Sequence, residues 1–260
     1  MIPKQYITEW SATAPWVNNY QIEQDLVIER CIVEIFSDEL LRENLAFRGG
    51  TALHKIFFRP QVRYSEDIDL VQISNEEIGL VLTRLRAKLS FLGLAGYKRA
   101  EHNNTLIYKF RSEYENIPLK LKVEINTREH FSVLGYKEAE RSVQSEYFSG
   151  ACKIKTFQSE ELLATKLRAL YQRSKGRDLF DIWFSLKYGK PDTEKIIFAF
   201  SEYMLAEGHK VSQKEFLANL TNKSADINFL HDISGLLRSE VEYNAEKALE
   251  DVIREIILLL

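Results

Sequence analysis

Apolar residues recur at Ile28, Cys31, Ile32, Ile35 and Phe36, the i, i+3, i+4, i+7, i+8 spacing of one helix face, and predict a helix over 21–43. The pattern then shortens. Leu45-Ala46-Phe47 is a brief apolar run that ends at Gly49-Gly50, read as a strand, a turn and the start of a second helix with Leu53, Ile56 and Phe57 on one side. Ile68, Leu70 and Val71, with Asp67 and Asp69 interleaved, predict a strand, and 76–92 a helix. Strands are predicted at 106–110 and 119–125, joined through a polar stretch, and at 152–157. From Glu160 the period is helical throughout, over 160–174, 178–188, 193–206, 212–221, 226–237 and 241–258, with Gly176, Gly189, Pro191 and Gly208 as punctuation. The expected organisation is an α+β domain, 1–157, followed by a helical domain, 158–260, packed against it and sharing a cleft.

Composition narrows this only by exclusion. Hydrophobic residues at 45% and charged residues at 28% are ordinary for a folded chain, so disorder and low complexity are excluded. Thirty-five Lys and Arg against 38 Asp and Glu give a net charge of −3, which excludes a globally basic nucleic-acid binder but not a local basic patch. Cys31 and Cys152 are too few for a disulfide framework or a four-cysteine zinc site. His54, His102, His130, His209 and His231 are dispersed and lack the H-E-x-x-H spacing of zinc enzymes. The first 18 residues contain no apolar core of a signal peptide, and the apolar tail 256–260 is too short to span a bilayer, so a cytoplasmic protein without a membrane partner is expected.

Three segments carry candidate chemistry. Phe47 to Lys55 reads F-R-G-G-T-A-L-H-K: glycines let backbone approach a ligand, and a helix N-terminus offers N–H groups to phosphate. Any strand–turn–helix can use Gly-Gly, and the spacing is not that of a Walker loop. Arg63 to Leu70 reads R-Y-S-E-D-I-D-L, which puts Asp67 and Asp69 on one strand face. Two adjacent carboxylates repel unless a cation such as Mg²⁺ relieves them, although D-x-D is also common on solvated strand edges. In 119–125, Lys120, Lys122 and Glu124 share a face, and Glu124 would add a third carboxylate if this strand lies beside the first. Three carboxylates can hold two metals for in-line phosphoryl transfer; alone, Glu124 is an exposed acid on an amphipathic strand.

Together these segments resemble the DNA-polymerase-β-type nucleotidyltransferase superfamily. The stretch Phe47 to Leu70, with its R-x-S-x-D-I-D-L ending, resembles the AbiEii abortive-infection toxin family in particular. Lys166 within E-E-L-L-A-T-K-L-R-A-L resembles that family's K-x-x-A-L helix, and Arg177-Asp178-Leu179-Phe180-Asp181 its R-D-x-x-D motif. The resemblance implies a polymerase-β-like mixed sheet with flanking helices followed by a helical bundle. It also implies an NTP donor, Mg²⁺ or Mn²⁺, and an RNA acceptor, plausibly the tRNA 3′ end, with a pyrimidine or guanine nucleotide transferred. A cognate antitoxin encoded nearby would be its partner.

The candidate nucleotide-binding residues are Arg48, Gly49, Gly50, Thr51, Lys55, Ser65 and Lys166. The candidate metal ligands are Asp67, Asp69 and Glu124. Lys166 is expected to neutralise charge on the phosphates, and Asp178 or Asp181 to be required, with spacing unable to choose between them. Ser65 either caps the turn before the strand or, if modified, would add negative charge beside the site. Lys109, Arg111, Lys120, Lys122 and the cations of 166–177 are candidates for an RNA phosphate track. The competing readings are a small-molecule nucleotidyltransferase, a two-metal nuclease and a non-catalytic nucleotide-binding module.

Overall fold

A computed structural model describes residues 2–260. The described residues divide into two compact units: 2–132 with 136–157, and 133–135 with 158–260.

The first unit opens with helix α1 (Lys4–Trp10) and the long, almost wholly buried α2 (Asn19–Phe36). The helix expected over 21–43 is two helices. Ser37 ends α2, and the Asp38 carboxylate accepts the Leu41 N–H to start α3 (Glu39–Asn44) afresh. An Asp in cap position is a helix-start signal, and it overrides the continuing apolar period. Strand β1 (Leu45–Arg48) runs into the short α4 (Gly49–Ala52), which widens into a π-type turn over Leu53–Phe57. Strand β2 (Ile68–Gln72) and helix α5 (Gly79–Lys88) follow. Five strands complete the unit: β3 (Gly96–Ala100), β4 (Asn103–Arg111), β5 (Pro118–Asn126), β6 (Tyr136–Gln144) and β7 (Ser149–Phe157).

Among the described residues one seven-stranded sheet forms, in the order β3-β4-β5-β2-β1-β7-β6. The β2–β5 and β1–β7 pairs are parallel and the others antiparallel, so the sheet is mixed. Alternation in β4 and β5 is clean: Leu106, Tyr108 and Phe110 with Leu119, Leu121, Val123 and Ile125 face the core, while Lys109, Lys120 and Lys122 face the other way. The apolar stripe of α2 packs across β5, β6 and β7.

The second unit is helical: α6 (Ser159–Gln172), α7 (Gly176–Phe184) with a π-type turn over Ser185–Gly189, α8 (Thr193–Ala206), α9 (Gln213–Ser224), α10 (Ile227–His231) and α11 (Ala245–Glu255). The expected helices over 226–237 and 241–258 are shorter than their apolar patterns. At its centre the buried Phe180 packs against Trp183, Phe184 and Tyr243, and Phe200 against Phe216. The buried Glu161 carboxylate accepts the N–H groups of Val133 and Leu134 at 2.7 and 2.8 Å and the Tyr203 hydroxyl at 2.8 Å. These bonds draw 133–135 into this unit.

Candidate active site

The site of the first unit is built where β1 turns into α4. Arg48 is extended, and Gly49 then takes φ +76°, a left-handed conformation that favours glycine. A Cβ at Gly49 would fall on the Asp69 carboxylate. Glycine is therefore required twice over, for the turn and to let Asp69 lie against the backbone. Thr51 fastens the turn to the approach of β2: its hydroxyl donates to the Asp67 carbonyl at 2.5 Å and lies 2.8 Å from Ser65 Oγ. Arg63 reaches the Tyr64 carbonyl at 3.1 Å and Ser65 Oγ at 3.5 Å. Ser65 thus stands between Thr51 and Arg63 as part of the scaffold under the turn.

Strand register lines up the charged groups. Arg48 pairs with Asp69 across β1–β2, and Asp69 with Glu124 across β2–β5. Register partners share a face, so Arg48, Asp69 and Glu124 form a row with backbones about 4.8 Å apart. Asp67 precedes Asp69 by two residues and Lys122 precedes Glu124 by two. The Lys122 ammonium fills the space between the strands, 3.1 Å from Asp67 Oδ2 and 3.6 Å from Glu124 Oε1. All three side chains are about one-third exposed (33%, 31% and 32% for Asp67, Lys122 and Glu124). Burial works against the Lys122 charge, but Asp67 first and then Glu124 outweigh it, and its pKa is raised above the ordinary lysine value. Asn103 donates to Glu124 Oε2 at 3.4 Å, and Arg48 to the buried Glu129 at 2.6 Å.

Lys55 does not join this group. Its ammonium, 2% exposed, is held by Asp25 at 2.8 Å, Glu29 at 2.7 Å and the Gln61 side-chain oxygen at 3.0 Å. Arg141 binds the same Glu29 carboxylate and the Lys55 carbonyl. Burial alone would raise the Glu29 pKa; Lys55 and Arg141 outweigh it and hold the carboxyl below the usual range. This buried network escapes the sequence reading. Its signal was present, since Asp25 and Glu29 stand one turn apart in a helix otherwise apolar enough to be buried.

The second unit holds the other candidates. Lys166 Nζ lies 3.0 Å from Asp178 Oδ1 and 2.9 Å from Asp181 Oδ2, and both carboxylates are fully buried. Arg173 grips Asp178 with two nitrogens, at 2.7 and 3.0 Å. Burial opposes the Asp178 charge, yet Lys166 and Arg173 more than compensate and hold its pKa below the normal value. Both aspartates orient the same ammonium, so geometry does not rank one over the other.

Asp67, Asp69 and Glu124 offer only oxygen, which suits a hard divalent cation. Asp67 and Glu124 already converge on one positive charge, that of Lys122. Among the described residues no group of three or more His, Cys, Asp or Glu side chains is gathered closely enough to hold a metal. The donor set is all carboxylate, the chemistry a hard divalent ion prefers, and in this arrangement Asp67 and Glu124 are occupied by the Lys122 ammonium.

Comparison with known proteins bears on the family and the fold. The family model described as "Nucleotidyl transferase AbiEii toxin, Type IV TA system" matches residues 30–253. MenT4, a nucleotidyltransferase toxin of Mycobacterium tuberculosis, superposes with a TM-score of 0.63 at 14% identity, covering 100% of this chain and 91% of its own. JHP933 from Helicobacter pylori gives a TM-score of 0.59 at 18% identity, covering 94% of this chain and 93% of its own. At such identities the likeness is one of fold. No curated protein matches the chain. No helix among the described residues is long and apolar enough to cross a membrane.

Proposed function

The chain belongs to the AbiEii family of type IV toxin–antitoxin nucleotidyltransferases, and from that premise we propose that it transfers a nucleotide from an NTP to RNA, the tRNA 3′ end being the foremost acceptor. The observation that carries the proposal is the row Arg48–Asp69–Glu124 across three strands, with Asp69 seated on the Gly49 turn. Gly49, Gly50 and Thr51 bring backbone to the triphosphate. Asp67, Asp69 and Glu124 would hold Mg²⁺ or Mn²⁺, which supplies positive charge to the phosphates and favours the attacking oxygen as alkoxide. Arg48, already braced by Glu129, contributes a fixed guanidinium at the edge of the row. Lys166, held by Asp178 and Asp181 in the second unit, is the residue to which the family motif assigns neutralisation of phosphate charge. Such a reaction is dominated by positioning and charge neutralisation.

An RNA acceptor is supported by the same face of the sheet. Lys109 and Lys120 are direct cross-strand partners on it, and both are exposed. Like charges placed opposite each other are unfavourable unless an anion comes between them, and a phosphodiester is such an anion. Lys120 is four residues from Glu124, roughly 13 Å along the strand. Within this reading the cell compartment is the cytoplasm and the protein partner is a cognate antitoxin.

The test is incubation with Mg²⁺, each labelled NTP in turn and total RNA, beside Asp69→Asn. Label entering tRNA-sized RNA with the unaltered protein alone is the expected result. Label entering no RNA, with nucleotide binding intact, would overturn the acceptor assignment.

A further inference from the structure

We propose that Lys122 is the resident counter-ion of the catalytic carboxylates: its ammonium occupies the position a divalent cation takes, and it must move off before that ion binds. The inference deepens the reading given above and rests on it.

Three observations carry it. First, Lys122 Nζ contacts two of the three candidate ligands at once, Asp67 at 3.1 Å and Glu124 at 3.6 Å. A cation on both carboxylates would stand where the ammonium stands. Second, no preassembled group of three or more acidic, His or Cys side chains exists among the described residues. Asp69 and Glu124 are nevertheless register partners, and Asp67 stands two residues before Asp69 and within reach of the same ammonium as Glu124, so the backbone already brings the three acids to one place. Third, Lys122 is about one-third exposed and sits mid-strand in β5, which lies between β4 and β2, with its backbone opposite Ile107 of β4. Only its flexible four-carbon stem has to swing for the ammonium to leave, and the backbone stays in place.

Its destination is set by the same geometry. Lys120 and Lys109 lie on its far side and repel it, while a metal-bound triphosphate on the Gly49 turn presents the nearest new negative charge. Lys122 would thus exchange two carboxylates for phosphate oxygens. Bare metal meets a competitor at the site, whereas the metal–nucleotide pair brings a new partner for the displaced lysine. The structure therefore assigns Lys122 two opposite effects, against the free ion and in favour of the nucleotide complex.

The experiment uses the full chain. Mn²⁺ binding without nucleotide is measured by calorimetry for the unaltered protein, Lys122→Met, and Lys98→Met as a control on the exposed strand β3. Binding of a non-hydrolysable NTP is then measured in saturating Mg²⁺. Lys122→Met is expected to bind Mn²⁺ roughly two- to fivefold more tightly, the range an ion pair of this exposure is worth. It should bind the nucleotide more weakly, and the control should change neither. Lys122→Gln repeats the test if the methionine variant does not fold. Unchanged or weaker Mn²⁺ affinity in the variant, with metal binding intact in the unaltered chain, overturns the inference alone. Failure of both proteins to bind metal overturns it together with the metal-dependent reading of the site.

Discussion

At the residue scale the molecule separates charges that bind from charges that brace. Lys55 and Lys122 look alike in sequence, each a lysine close to a candidate motif. Lys55 is sealed with Asp25, Glu29 and Gln61 and cannot leave without taking the ammonium that two buried carboxylates share. Lys55→Met should therefore lower the unfolding free energy by about 3–5 kcal/mol, the usual effect of breaking a buried ion pair from one side, as read from urea unfolding. Gly49 is the other residue without a substitute. Gly49→Ala imposes a side chain at φ +76° and drives it into the Asp69 carboxylate. Backbone strain of about 1–3 kcal/mol is expected, and because Asp69 must shift, label transfer should fall far more than thermal stability. Equal losses of both would mean that Asp69 is not part of the chemistry.

At the element scale, the parts legible in the sequence are those whose burial follows a period. β4, β5 and β7 show alternation, and the helices of the second unit show a 3.6-residue stripe. Two strands left no such trace. β3 is exposed along its whole length, and β6 reads Y-K-E-A-E-R-S-V-Q; both sit at sheet edges and are held by backbone pairing with β4 and β7. The carboxylate row was legible only in part, because the i, i+2 spacing gives the face of each strand but not which strands are neighbours. Register supplied that, and the Lys122 bridge with it. The break between α2 and α3 was written in the chain as Ser37-Asp38 but hidden under a continuous apolar period. Asp38→Ala removes the α3 cap and the carboxylate that Arg84 holds at 2.7 Å. A loss of about 0.5–2 kcal/mol is expected, measurable as a lower denaturant midpoint with an unchanged slope.

At the scale of the whole molecule, two buried groups of the second unit make stability depend on pH. Asp178 has its pKa lowered from 3.8, so its contribution is complete above that value and is lost as pH falls through the lower folded one. Lys223 has the opposite history. Burial pushes its pKa from 10.5 down to about 8, although it donates to the carbonyls of Leu170 and Tyr171 at the end of α6. Between about 8 and 10.5 the unfolded chain holds a proton that the folded chain has released, so rising pH stabilises the fold through this group. Chemical denaturation at pH 7.5 and pH 10 should show the stability advantage of the unaltered chain over Lys223→Met growing with pH; a shrinking advantage would contradict the assignment. The bond from Glu161 to Val133 and Leu134 has a consequence of a different kind, for how such a chain can be inherited. Severing it at residue 158 would leave that carboxylate buried without the N–H groups of Val133 and Leu134. No single crossover point releases the helical unit intact, and any recombination that carries it elsewhere must also carry the strand pair β6–β7 lying between its two pieces.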